Sequence, residues 1–100
     1  MKGGPARVDT LLSGVLEKHG VQDQIKRMEV LHLWDEIVGE QLSRVTHAKG
    51  VEDATLFVEV RSSAWLMELN MMKGAFLERV NLRLEDVPIE RLVFVLAETE

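Results

Sequence analysis

The chain has no cysteine, no tyrosine, two prolines and five aromatic residues among its one hundred. Without cysteine it can form neither a disulfide nor a thiolate metal site. No apolar run approaches the roughly 18 residues that a membrane helix needs. Met1-Lys2-Gly3-Gly4-Pro5 sets no apolar core behind its charge, so no secretory signal is expected either. By elimination the reading is a cytoplasmic protein.

Catalytic signatures are missing too. His19, His32 and His47 form no H-x-x-x-H or H-E-x-x-H pair, so a metal site would need distant ligands to converge. Asp35 and Glu36 are neighbours in a helical stretch, and adjacent helical residues do not face each other. Ser62-Ser63 lacks the flanking glycines of a nucleophile elbow and reads as a helix cap. Gly39, Gly50 and Gly74 are isolated, so no glycine-rich phosphate loop exists. No catalytic, cofactor-binding or metal-binding residue is expected; the domain binds rather than catalyses, with no small-molecule substrate.

What is present is a chain long enough for one core, acidic overall at −5. The charge is uneven. Residues 1–50 carry seven Lys/Arg and seven Asp/Glu, whereas residues 51–100 carry five and ten. Phosphate backbones are gripped through Lys and Arg, so strong non-specific nucleic-acid binding is not expected.

Residues 1–8 read as a flexible lead-in and 9–100 as a single domain. Asp9 caps a first helix striped by Leu11, Leu12, Val15 and Leu16, and Gly20 ends it. A second helix starts near Gln22 with Ile25, Met28, Leu31, Trp34, Ile37 and Val38 on its apolar face. Gly39 stops it, and residues 41–44 add a turn. Residues 45–51 and 55–61 read as a hairpin around Glu52-Asp53-Ala54. In the second strand Leu56, Val58 and Val60 point one way and Thr55, Phe57, Glu59 and Arg61 the other. Ser62 or Ser63 caps a third helix that buries Trp65, Leu66, Leu69, Met72, Phe76, Leu77 and Val80 and ends near Arg83. Pro88 lies in a connection, and residues 91–97 form the last strand. The fold class is α+β: order ααββαβ, a three-stranded sheet, helices packed mainly on one face and the other face open.

Three segments together carry a family resemblance. They are Trp34-Asp35-Glu36-Ile37-Val38-Gly39 with Leu42 and Thr46-His47-Ala48; Ala54-Thr55-Leu56-Phe57-Val58-Glu59-Val60; and Ser62-Ser63-Ala64-Trp65-Leu66-Met67-Glu68-Leu69, continuing through Phe76 to Asn81. The combined pattern, spread over residues 10–97, resembles the DciA-like family of bacterial proteins. The resemblance implies a KH-like domain and a non-enzymatic DNA-replication accessory that recruits or loads the replicative helicase, DnaB, by protein–protein contact. The alternative it leaves open is a KH-like nucleic-acid-binding module acting without the helicase. KH domains grip nucleic acid with a G-x-x-G loop, and this chain has none. DNA is therefore the weaker of the two partners.

Candidate partner contacts are Trp65, Phe57, Arg61 and Glu68, since exposed tryptophans are frequent anchors of interfaces. Met67, Met71 and Met72 suit core filling more than docking. Lys18, Lys26, Arg27, Arg44 and Lys49 are the candidate nucleic-acid contacts. Trp34, Gly39 and Leu69 read as the structural residues of the family motif, with Trp34 packing in the core.

Overall fold

The structure, a computed structural model, describes residues 21–98. The predicted first helix, the lead-in and Lys18 lie outside the described residues. Residues 21–28 are helical (α1). They are followed by α2 (Val30–Val38), α3 (Glu40–Ser43), β1 (Thr46–Glu52), β2 (Thr55–Val60), α4 (Ser63–Met71), α5 (Lys73–Leu84) and β3 (Arg91–Leu96). The α+β class and the strand and helix order follow the sequence reading, with two of the expected helices each interrupted once.

The sheet order is β1-β2-β3. β1 and β2 are antiparallel, joined by a tight turn in which Asp53 takes φ +54°. Aspartate tolerates that left-handed conformation better than most residues. The ladder slips by one residue between Ala48 and Gly50, a bulge at Lys49. β3 lies parallel to β2 in unbroken register from Thr55↔Arg91 to Val60↔Leu96. A parallel pair needs a crossover, and α4 with α5 supplies it.

The core lies between the sheet and the helices. β2 alternates as expected: Leu56, Val58 and Val60 are fully buried, and the residues between them are not. Leu92 and Phe94 of β3 join them, as do Val30, Trp34 and Val38 of α2, spaced by four residues on one face. Phe76, Val80 and Leu84 repeat that spacing on α5. Trp34, Phe76 and Phe94 form an aromatic triangle with centroids 6.3–6.4 Å apart. That separation suits tilted and edge-on ring contacts, and it ties α2, α5 and β3 together.

Two readings are corrected by the interruptions. At Glu29 the α-helical ladder is interrupted between α1 and α2, although the backbone stays helical (φ −59°, ψ −25°); Val30 is buried, while Ile25 and Met28 are left 59% and 43% exposed. α1 is held instead by polar contacts: Gln24 Nε2 donates to the Val51 carbonyl at 2.8 Å, and Arg27 Nε to that of Pro88 at 2.9 Å. At Met72, φ −106° and ψ 14° separate α4 from α5. Leu69 and Phe76 on either side stay buried, but Met72 at the break is exposed rather than buried, as are Met67 and Met71.

Gly39 ends α2 as predicted. It adopts φ +94° and ψ 166°, and its N–H donates to the Asp35 carbonyl at 3.0 Å. That region is open essentially to glycine alone. The connection from α5 to β3 is more ordered than a proline-marked loop suggests. Val87 and Ile89 are buried there. Asn81 grips Ile89 twice: its Oδ1 accepts the Ile89 N–H at 2.7 Å, and its Nδ2 donates to the Ile89 carbonyl at 3.0 Å.

Candidate interaction surface

The same alternation that buries Leu56, Val58 and Val60 sends Phe57, Glu59 and Arg61 to the opposite face of the sheet. Register supplies their neighbours: Glu59 sits between His47 and Val95, and Phe57 between Gly50 and Val93. Two clefts result. One, of about 580 Å³, is lined by Asp35, Ser43, Thr46, His47, Glu59, Arg61, Ala97 and Glu98. The other, of about 460 Å³, is lined by Lys49, Gly50, Glu52, Phe57 and Val95. An ion pair between Lys49 Nζ and Glu59 Oε2, at 3.0 Å, joins one cleft to the other. The face thus combines a half-buried aromatic ring with charges of both signs.

Trp65 and Glu68 lie elsewhere. Ser62 Oγ accepts the Trp65 N–H at 3.2 Å, which caps α4 and fixes Trp65 in its first turn. The indole packs partly against the core and lines a shallow hollow of about 340 Å³ with Ala64 and Glu68. The four candidate partner residues therefore occupy two surfaces: Phe57 and Arg61 on the open sheet face, Trp65 and Glu68 on α4.

The four described candidate nucleic-acid contacts are each engaged within the domain. Lys26 Nζ meets Asp86 Oδ2 at 2.9 Å. That hydrogen bond, with the carboxylate's charge, raises the lysine pKa above its ordinary value. Arg27 is committed to the Pro88 carbonyl, Arg44 to Glu40 at 2.8 Å and Lys49 to Glu59. Each of these four thus meets a protein acceptor. Among the described residues Arg61, Lys73 and Arg91 make neither an ion pair nor a side-chain hydrogen bond, whereas Arg79 reaches the Ile37 carbonyl, and of the three only Arg61 lines a cleft.

Of the three motif residues, Gly39 ends α2 and the other two are core residues. Trp34 is 1% exposed and Leu69 is equally buried. Trp34 also anchors a polar relay that the sequence reading missed. Its Nε1–H donates to Thr46 Oγ1 at 2.9 Å, and the Thr46 hydroxyl donates in turn to the Leu42 carbonyl at 2.7 Å. The signal for it was Trp34 itself, since a buried indole N–H requires an acceptor. Among the described residues no group of three His, Asp or Glu side chains is placed to hold a metal, and no helix is long and apolar enough to cross a membrane. Asp35 and Glu36 diverge: the first lines a cleft, and the second meets Arg83 at 3.5 Å.

Comparison with known proteins matches residues 7–94 to the family described as Dna[CI] antecedent, DciA. The chain is similar to a UPF0232 protein of Rhodococcus jostii, with 25% identity across 88% of this chain and 47% of that protein. It is also similar to UPF0232 proteins of Mycolicibacterium paratuberculosis, at 29% identity across 76% of the chain, and Corynebacterium glutamicum, at 27% across 75%. Each of the latter two matches covers 42% of the relative. The chain thus spans less than half the length of these relatives.

Proposed function

Because this chain belongs to the DciA family, whose replication role is associated with DnaB, we propose that it is a non-enzymatic accessory that recruits or loads the replicative helicase by protein–protein contact. The observation that carries the reading is the open sheet face, where Phe57 and Arg61 line linked clefts among charges of both signs. A ring flanked by mixed charge suits a protein surface, since interfaces combine an aromatic or arginine anchor with a polar rim. A phosphate backbone asks for a row of uncommitted cations. Lys26, Arg27, Arg44 and Lys49 are instead engaged within the domain. The same accounting ranks the independent nucleic-acid module second. Trp65 and Glu68 form a second contact area on this reading.

Size-exclusion chromatography of the chain with its cognate helicase tests the proposal. A complex is expected, weakened at least tenfold by Arg61→Glu or Phe57→Ser on the open face. Absence of a complex at ~50 μM leaves less than about 6 kcal/mol of binding free energy and refutes it.

A further inference from the structure

The amphipathic character of α1 is inverted. None of residues 21–28 is buried, and none packs in or against the hydrophobic core. Its apolar side chains, Val21, Ile25 and Met28, recur every three to four residues along one face, and all three are exposed. The residues turned inward are Gln24 and Arg27, both half-buried. Three polar contacts hold the helix. Gln24 Nε2 donates to the Val51 carbonyl near the end of β1, Lys26 Nζ to Asp86, and Arg27 Nε to the Pro88 carbonyl. Asp86 and Pro88 belong to the connection between α5 and β3. The Lys26–Asp86 pair is solvated, its side chains 48% and 72% exposed, and Glu29 and Glu85 add to the negative field around Lys26. At its far end α1 meets α2 through a tighter turn, where the Glu29 N–H donates to the Lys26 carbonyl, three residues back instead of four. The core begins at the next residue, Val30.

We propose that α1 is a hinged latch: it opens as a unit at Glu29 while the rest of the domain stays folded, and ionic strength sets how often it opens. Segments with few buried apolar contacts open at a lower free energy than the core. Opening α1 breaks three polar contacts and withdraws none of its side chains from the core. Salt screens exposed charge pairs, so the Lys26 contact weakens as salt rises. The open latch releases Lys26 and Arg27 and leaves the Val51 and Pro88 carbonyls without these donors. A partner that uses any of these groups therefore competes with the latch. The device is internal to the chain and stands apart from the helicase assignment.

The test is amide-resolved hydrogen exchange by NMR on the full chain. The amides of Ile25 to Met28 are expected to exchange at similar rates to one another, at least about 100-fold faster than those of Trp34 and Val58, which open with the core. Raising salt from ~20 mM to ~0.5 M should quicken α1 at least about threefold relative to Trp34. Lys26→Met and Arg27→Met should each do the same at low salt with the urea midpoint unchanged, and Lys26→Met should abolish most of the salt effect. Neither variant touches a core residue, so both leave the domain folded. Exchange of α1 as slow as that of Trp34 makes it part of the global unit and overturns the proposal. Rates that fall steadily from Ile25 to Met28 show fraying without a hinge and overturn it too. So do α1 rates that neither substitution changes, or amides with no protection at ~20 mM salt, where no closed state exists.

Discussion

Replacing Thr46 with valine keeps the shape of the side chain and removes one hydroxyl. Trp34 is 1% exposed and Thr46 6%, so the indole N–H has little access to water in place of the lost partner. The indole N–H loses its 2.9 Å acceptor, and the Leu42 carbonyl loses its 2.7 Å donor. A buried group left unsatisfied costs about 1–3 kcal/mol. The carbonyl retains its bond from the Val45 N–H at 3.1 Å, so the indole dominates the cost. Thr46→Val should therefore lose about 2 kcal/mol. In urea that lowers the midpoint by about 1–2 M, for a slope of about 1–2 kcal/mol/M. Circular dichroism is the readout, because the two tryptophans confuse fluorescence. A double-mutant cycle isolates the bond. With Trp34→Phe in place the indole N–H is gone, and adding Thr46→Val should cost under about 1 kcal/mol, since removing both partners is far less costly than orphaning one. A Thr46→Val midpoint within ~0.3 M of the parent, with unchanged slope, would falsify the relay as a stabilising element.

The other expectations concern backbone, connection and ligand. Gly39→Ala should lose about 1–3 kcal/mol in the same denaturation assay because of its φ of +94° alone, as open space surrounds the site. By contrast Gly74→Ala, inside α5 and equally uncrowded, should gain about 0.5–1 kcal/mol. Asn81→Ala removes both bonds to Ile89 and should cost about 2 kcal/mol, with faster amide exchange at Ile89. Any binding to DNA should show a shallow salt dependence, with log affinity falling by less than about 3 per decade of salt, since few cations are uncommitted. A steeper slope, tracking Lys26, Arg27, Arg44 or Lys49 substitutions, would show those internal contacts yielding to phosphate.

Much of this fold is written in periodicity. The alternation in β2 gives both the core row and the open face, because a strand's two faces differ only in parity. Gly39 and Ser62 mark helix ends through chemistry that belongs to single residues. The breaks at Glu29 and Met72 carry no such mark, for neither is glycine or proline. Ile25 and Met28, before the first break, and Met72, at the second, lie on the apolar stripe yet are left exposed. The candidate surface was half legible. Phe57 and Arg61 follow from parity, but that Trp65 lies apart from them depends on how α4 packs. The internal partners of Lys26 and Arg27 lie some sixty positions along the chain, at Asp86 and Pro88, and no local pattern announces such pairings.

The parallel seam between β2 and β3 matters during synthesis. The β1–β2 hairpin is complete once residue 60 leaves the ribosome, yet its neighbour cannot be laid down until residues 61–90 have followed. At about 5–20 residues per second that is a delay of roughly 2–6 s. Throughout it Leu56, Val58 and Val60 form an apolar row with neither the crossover helices nor Phe94 in place. A nascent chain stalled in that window should be a ready client for a hydrophobic-surface chaperone, and one stalled after residue 96 clears the exit tunnel should not.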